Sequence, residues 1–234
     1  MRVVDKRSVR IREMFASIAP RYDLLNHLLS LNVDRRWRRH LARKLQQYSR
    51  PGRVLDVCTG TGDLAIELSH RNDVFGADFC HPMLVIAQEK LEKLDCRVKL
   101  LEADALCLPF PGSWFDVVSV GFGVRNLEDL QRGLLEFFRV LRPGGILVIL
   151  EFSKPATPIF RDLYRLYFDH VLPNIGRLVS KSDGPYRYLP DSVKEFPDQQ
   201  DLCRILERCG FDNVEFENLS AGIAALHFAR RPAS

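Results

Sequence analysis

Residues 54–65 read VLDVCTGTGDLA. A short strand-like run, Val54-Leu55-Asp56-Val57, stops at two closely spaced glycines, and Asp63 then opens a helical pattern that reaches Arg71. Glycines at such a turn let the backbone take conformations closed to other residues and let a ligand approach the main chain. The alternation continues outward. Asp73 to Asp78 reads as a strand and Pro82 to Leu94 as a helix; Arg97 to Leu101 and Phe115 to Val120 are further strands. Leu127, Leu130, Leu134, Phe137, Phe138 and Leu141 recur at helical spacing and stop at Arg142-Pro143-Gly144-Gly145. Ile146 to Phe152 is continuously apolar apart from Glu151, as expected of a strand covered on both faces. A helix from Gln199 to Cys209 and two strand-like runs, Val214–Leu219 and Ile223–Ala229, follow, the runs separated only by Ser220-Ala221-Gly222. The pattern predicts an α/β fold: a Rossmann-like, doubly wound, mostly parallel seven-stranded sheet closed by a C-terminal antiparallel hairpin.

Ahead of this unit, residues 8–48 read as helices interrupted at Pro20 and Asn32, and Pro51-Gly52 ends them. The expected organisation is an N-terminal helical cap or substrate lid over 1–50, and a ligand-binding domain over 51–234 with a lid insertion at 152–198. The two parts form one structural unit. A chain of 234 residues, 46% hydrophobic and 27% charged, buries about 70–75% of its unfolded surface, so its core needs neither disulfide nor metal. Disorder, collagen and coiled coil are excluded by composition. The six cysteines never approach Cys-x-x-Cys spacing, and no two histidines lie three to five residues apart, so a disulfide framework and a local zinc motif are not expected. The uncharged run Val117–Val124 falls far short of the roughly 18 apolar residues of a membrane span. The opening MRVVDKRSVRIREMF has no apolar stretch behind its charges, so no signal peptide is expected and the expected location is cytoplasmic.

The net charge of +4 hides an asymmetry: residues 1–50 hold 13 Lys/Arg against 4 Asp/Glu, and the rest of the chain is mildly acidic. A basic segment of this kind points to a polyanionic neighbour, either a phospholipid surface or nucleic acid, unless it is an ordinary solvated helix face. Trp37 among Arg35, Arg36, Arg38 and Arg39 suits a membrane interface as well as RNA.

Ligands of open parallel sheets bind at the carboxyl ends of the strands. There, Gly60, Gly62 and Ala65 fit a nucleotide-binding fingerprint, and Asp78, 18 residues after Gly60, is placed to accept both hydroxyls of a ribose. Asp104-Ala105 follows the third strand, where a carboxylate and a backbone N–H would meet an adenine edge. Asp56 puts negative charge beneath the loop, which suits a cationic sulfonium better than a pyrophosphate, unless it is a structural acid that orients the loop. Together VLDVCTGTGD, GADF, EADA and RVLRPGG resemble the class I S-adenosylmethionine-dependent methyltransferases.

The resemblance narrows. IAPRYDLLNHLLSLNVDRRW at 18–37, FGVRN at 122–126, RVLRPGG at 139–145 and YRYLPDSVKEFP at 186–197 are similar to the UbiE/MenG family, over about residues 10–230. Members of that family C-methylate the ring of polyprenyl quinols during ubiquinone or menaquinone synthesis. The resemblance implies S-adenosylmethionine as methyl donor, S-adenosylhomocysteine as product, no metal, and cofactor contacts on Thr61, Asp78, Asp104 and Ala105 beside Gly60 and Gly62. It also implies Arg125 as the catalytic residue. Gly121 stands where ubiquinone-type members often carry serine, Asp34 where many relatives have histidine, and the CTGTGD loop looks more like the menaquinone branch.

Methylating a ring carbon requires the electron-rich quinol, because a quinone is itself electrophilic. Ionising the hydroxyl, with a phenol-like pKa of about 10, pushes electron density onto the adjacent carbon. A guanidinium is permanently protonated, so Arg125 is expected to stabilise the phenolate or orient a water; the alternative is a salt bridge that fixes the loop. His27, Asp23 or water would take the ring proton. The apolar stretch 156–172, with Tyr186 and Tyr188, is expected to cover the quinol pocket, and the enzyme to touch an anionic membrane surface peripherally. An RNA or DNA methyltransferase and a non-catalytic adenosine-binding module are the competing classes. The fourth strand ends in GFGVRN and lacks the Asn-Pro-Pro-aromatic motif of amino-group base methylation, so no nucleic-acid partner is expected. Naphthoquinol against benzoquinol, and monomer against homodimer, stay open.

Overall fold

The computed structural model describes residues 6–30, 32–155 and 184–233. Its sheet runs β3-β2-β1-β4-β5-β7-β6, where β1 is Arg53–Val57, β2 Asp73–Asp78, β3 Val98–Glu102, β4 Phe115–Gly121, β5 Leu141–Phe152, β6 Asp212–Leu219 and β7 Ala224–Arg230. The first five strands pair in parallel; β7 inserts antiparallel between β5 and β6. The expected seven-stranded, doubly wound sheet is therefore present, with the order reversing at β1/β4, where such sheets bind ligands.

Alternate residues of each central strand feed two cores, as the two-residue period of a strand requires. Leu55, Val57, Leu147 and Ile149 pack with Leu134 and Phe137 of helix α6 (Leu130–Val140) and Leu202 and Leu206 of α8 (Gln199–Arg208). Val54, Ile146, Val148 and Leu150 pack on the opposite face with Leu41 and Leu45 of α3 (Val33–Tyr48) and Leu64 and Leu68 of α4 (Asp63–Ser69). Helix α5 (His81–Lys93) follows β2, and α7 (Gly184–Glu195) precedes α8.

The N-terminal segment forms α1 (Ser8–Ile18), a 3-10 turn at Pro20, α2 (Tyr22–Leu29) and α3; Asn32 takes the left-handed conformation, φ 60°, where the chain turns into α3. Helix α3 is part of the core layer. Trp37 Nε1 donates to Ser220 Oγ (3.1 Å), Lys44 Nζ to Glu217 (2.5 Å), and Tyr48 stacks on Phe228 at 4.4 Å. The basic helix is thereby fastened to the C-terminal hairpin.

Two boundaries differ from the sequence expectation. The helix predicted from Leu127 starts at Leu130, because Asp129 caps it by accepting the Arg132 N–H (2.9 Å). Strand β5 begins at Leu141, five residues before the predicted Ile146. Leu141 pairs with Phe115 and Ile146 with Val117, so Arg142–Gly145 bulge out. Gly144 (φ 74°) and Gly145 are drawn in by reciprocal bonds of 2.9 Å with the Arg231 backbone, a partner 86 residues downstream that local patterning does not reveal.

Candidate active site

A cleft opens at the carboxyl ends of β1, β2 and β4. Gly60, Asp78, Asp104 and Ala105 line it, Phe79 and Asn126 add side walls, and Phe15 and Tyr22 close it from α1 and α2. The two glycines of the β1–α4 loop divide the work. Gly60 (φ 56°) has nothing within 4 Å of where a Cβ would stand, so its backbone is open to a ligand. Gly62 (φ 84°) abuts α5, its Cβ position 3.3 Å from Ala87 Cβ. That difference comes from tertiary packing and is invisible in the motif.

Asp78, at the tip of β2, is 7% exposed. Its Oδ2 accepts the Gly60 N–H (2.8 Å) and its Oδ1 the Cys80 N–H (2.9 Å), so each oxygen keeps a lone pair for a cleft ligand. Burial pushes its pKa up to about 6, against the pull of those N–H bonds. Asp56 has a similar pKa of about 6 for the same reason, but it is 1% exposed and lies outside the cleft lining, its oxygens accepting from Thr59 Oγ1 and Ser119 Oγ at 2.7 Å. It is the acid that orients the loop. The Asp104 carboxylate accepts the Leu106 N–H (2.8 Å), which sets the turn that presents buried Ala105 to the cleft.

Thr61 is 2% exposed and its hydroxyl faces the helical cap. It donates to Asp23 Oδ1 (2.5 Å) and accepts from Lys90 Nζ (3.1 Å). Lys90 also meets Asp23 (2.7 Å) and Asp63 (2.6 Å). Asp23, one expected proton acceptor, is thus engaged with the glycine loop. The His27 and Tyr186 side chains and residues 156–172 lie outside the described residues.

Arg125 occupies a 3-10 turn, Val124–Asn126, behind the cleft wall. The turn is tight: a Cβ on Gly123 would stand 2.4 Å from Cys58 Cβ. Arg125 is 6% exposed; its Nη1 donates to Glu151 Oε1 and to the Phe122 carbonyl, both at 2.6 Å. Phe152 lies under the guanidinium at 5.4 Å, and Nε has no partner among the described residues. The neighbouring Asn126 reaches the cleft, and its Oδ1 accepts the Tyr188 hydroxyl (2.9 Å). Burial pushes the Tyr188 phenol up to about 12 and raises that of Tyr22. Sequence reasoning missed Glu151 and Asn126 as members of this cluster. The one local signal for Glu151 is a charge inside an otherwise apolar buried strand.

The arginines of α3 separate. Arg36, Arg39 and Arg43 line a shallow basic groove against Arg71 and His70 of the α4 end. Arg38 faces inward at 8% exposure and pairs with Asp34 (2.5 Å) and Asp63 (3.6 Å). The expectation that Arg35, Arg36, Arg38 and Arg39 all face a surface is corrected on that point: at helical spacing, Arg38 falls on the core side beside Trp37. Among the described residues no helix is long and apolar enough to cross a membrane, and no group of three His, Cys, Asp or Glu is placed to hold a metal ion.

Comparison with known proteins agrees with this geometry. The profile of the ubiE/COQ5 methyltransferase family matches residues 2–231. A demethylmenaquinone methyltransferase of Thermus thermophilus is 50% identical over 94% of this chain and 100% of its own. A ubiquinone/menaquinone biosynthesis C-methyltransferase of Geobacter sulfurreducens is 44% identical over 96% of this chain and 89% of its own. Among solved structures, a SAM-dependent methyltransferase of Thermotoga maritima superposes with a TM-score of 0.68 at 16% identity, covering 94% of this chain and 99% of that one. A phosphoethanolamine N-methyltransferase of Haemonchus contortus in complex with S-adenosyl-L-methionine gives 0.59 at 17% identity, over 80% of this chain and 51% of that one. At such identities the structures establish the fold.

Proposed function

The chain belongs to the ubiE/COQ5 methyltransferase family, and we propose that it transfers a methyl group from S-adenosylmethionine to a ring carbon of a reduced polyprenyl quinol, demethylmenaquinol first. The observation that carries this reading is the cleft itself. An open glycine backbone at Gly60, a buried carboxylate at Asp78 with free lone pairs and the Asp104-Ala105 turn converge there, roofed by aromatic residues of the N-terminal cap. These groups fit an adenosine: Asp78 for the ribose hydroxyls, the Ala105 N–H and Asp104 carboxylate for the adenine edge, Gly60 for close approach of the chain linking ribose to sulfur. Thr61 and Gly62 hold the loop in shape from behind.

When bound, the cofactor supplies an electrophilic methyl on sulfur, so the protein needs mainly to position the ring and favour its ionised form. Arg125 is the group for that task, as a fixed positive charge beside the developing phenolate. Asn126 and Tyr188 supply hydrogen-bonding side chains at the same wall, and Phe15, Tyr22, Phe79 and Phe122 offer apolar flanks to a ring. The prenyl tail comes from a bilayer, and the groove of Arg36, Arg39 and Arg43 is the surface we assign to peripheral contact with anionic lipid.

The test is methyl transfer by the pure protein from labelled S-adenosylmethionine to chemically reduced demethylmenaquinone, beside a demethylated benzoquinol. Transfer to the reduced naphthoquinol, with the oxidised quinone inert under strictly non-reducing conditions, is the expected result. Transfer to the oxidised form would overturn the phenolate chemistry, and transfer to neither ring would overturn the substrate class.

A further inference from the structure

Arg125 is clamped on one side and unpaired on another. Its Nη1 is shared between Glu151 Oε1 and the Phe122 carbonyl, and its own backbone N–H points at Glu151 Oε2 (3.4 Å). Phe152, the residue after Glu151, underlies the guanidinium, and its N–H donates to Glu151 Oε1 (2.8 Å), so the main chain of β5 aims the carboxylate. Glu151 is 1% exposed. Against this, the Arg125 Nε–H is buried and unpartnered among the described residues. A buried charged donor left without an acceptor is a rarity that folded proteins retain chiefly for a ligand or a functional strain.

We propose that Glu151 is a positioning residue for methyl transfer, fixing Arg125 so that its unpaired Nε–H is held ready to donate to the quinol oxygen next to the carbon that is methylated. This rests on the quinol reading above. The clamp explains how a permanently charged side chain can be both buried and useful. The Glu151 carboxylate offsets the cost of burying the guanidinium, while the Nε–H remains as a directed, charged donor. When the hydroxyl ionises, the donor is already in place and no reorganisation is required. A guanidinium free to choose its rotamer would lose that advantage, and a displacement of about 1 Å at a reacting centre costs on the order of 100-fold in rate.

A pH signature follows from the groups around the pair. Lys6 ahead of α1, Tyr22 of α2, Tyr188 of α7 and Cys58 after β1 all interact with one or both members, and Glu195 of α7 acts on Lys6 and Tyr188. Burial raises the Glu151 carboxyl, with Arg125 pulling the other way. Protonating Glu151 releases Arg125, so the wild-type rate should fall on the acid side through a group titrating above the ordinary carboxylate range.

The decisive experiment compares Glu151→Gln and Glu151→Asp with wild type in quinol methylation, S-adenosylmethionine titration and pH–rate profiles taken at saturating S-adenosylmethionine, where the Asp78 titration does not limit the rate. Glu151→Gln is expected to lower kcat about 100-fold, to leave donor affinity within about twofold, and to lose the acid limb that Glu151 causes. Glu151→Asp keeps the charge and the limb but pulls the clamp back by one methylene, and is expected to lose about 10-fold in kcat. A folded Glu151→Gln protein with wild-type kcat, or with the acid limb unchanged, overturns the proposal. Should the Gln variant fail to fold, the Asp variant decides, because wild-type kcat there means the pair is only structural. Failure of the wild-type protein to methylate any reduced quinol would instead refute the substrate reading.

Discussion

Thr61 Oγ1 donates a 2.5 Å hydrogen bond to Asp23 Oδ1, joining the glycine loop after β1 to the second helix of the N-terminal cap. Lys90 of α5 binds both residues, so three elements distant in sequence meet at one polar knot beside the cleft. The cap is therefore coupled to the glycine loop of the cleft, which we assign to the methyl donor.

Replacing Asp23 with alanine cuts that coupling. The Asp23–Lys90 pair is partly exposed, so its loss should cost under about 1 kcal/mol of stability. Donor affinity should fall by about three- to tenfold, the worth of one net hydrogen bond. Calorimetric titration beside thermal unfolding separates the two effects; a large loss of stability with unchanged donor affinity would assign the knot to folding alone.

Asp78 sets a pH dependence for cofactor binding. Its carboxyl titrates near 6, and only the ionised form can accept from both ribose hydroxyls. Donor affinity should be full at pH 7 and about tenfold weaker at pH 5. Without ligand the sign reverses: the raised folded-state values of Asp78 and Asp56 mean stability is greatest below about pH 4 for these groups and is lost as pH rises through about 6. Asp78→Asn should bind S-adenosylmethionine at least tenfold more weakly at pH 7 and flatten the pH dependence. Asp56 lies outside the cleft lining, so a loss of the pH dependence of donor affinity in Asp78→Asn assigns that dependence to Asp78.

Removing Arg125 alone strands Glu151 in the core, and removing either partner of such a pair costs about 3–5 kcal/mol. Arg125→Ala should accordingly be strongly destabilised, while the double variant Arg125→Ala, Glu151→Ala recovers part of that stability. Activity should stay down by roughly 10²–10⁴-fold in both. Denaturant unfolding and turnover on the same samples test this; a double variant as active as wild type would remove Arg125 from the chemistry.

The basic groove should behave as a surface. Arg36→Gln, Arg39→Gln and Arg43→Gln together should reduce sedimentation with anionic vesicles, at about 1 kcal/mol per charge that faces the lipid, and salt should weaken what remains. Activity on a short water-soluble quinol should survive. Arg38→Gln is expected to act differently, destabilising the fold by removing the buried ion pair with Asp34. RNA retention in a gel shift, lost in the triple variant without any vesicle effect, would favour nucleic acid over lipid.

What the sequence determined by itself was the order of strands and helices, the glycine loop at 60–62, the carboxylate at the tip of β2 and the C-terminal hairpin. Each depends on short-range rules: apolar periods of two or about 3.6, glycine where φ must be positive, an acid one strand further on. Tertiary structure alone decided which oxygens and donors are already spent. It gave both oxygens of Asp56 to Thr59 and Ser119, turned Thr61 toward Asp23, sent Arg38 inward among its exposed neighbours, and set Glu151 against Arg125 across 26 positions of chain. A residue's type fixes how many hydrogen bonds it can make, but its partners come from other strands and helices, and only packing brings those within 3 Å.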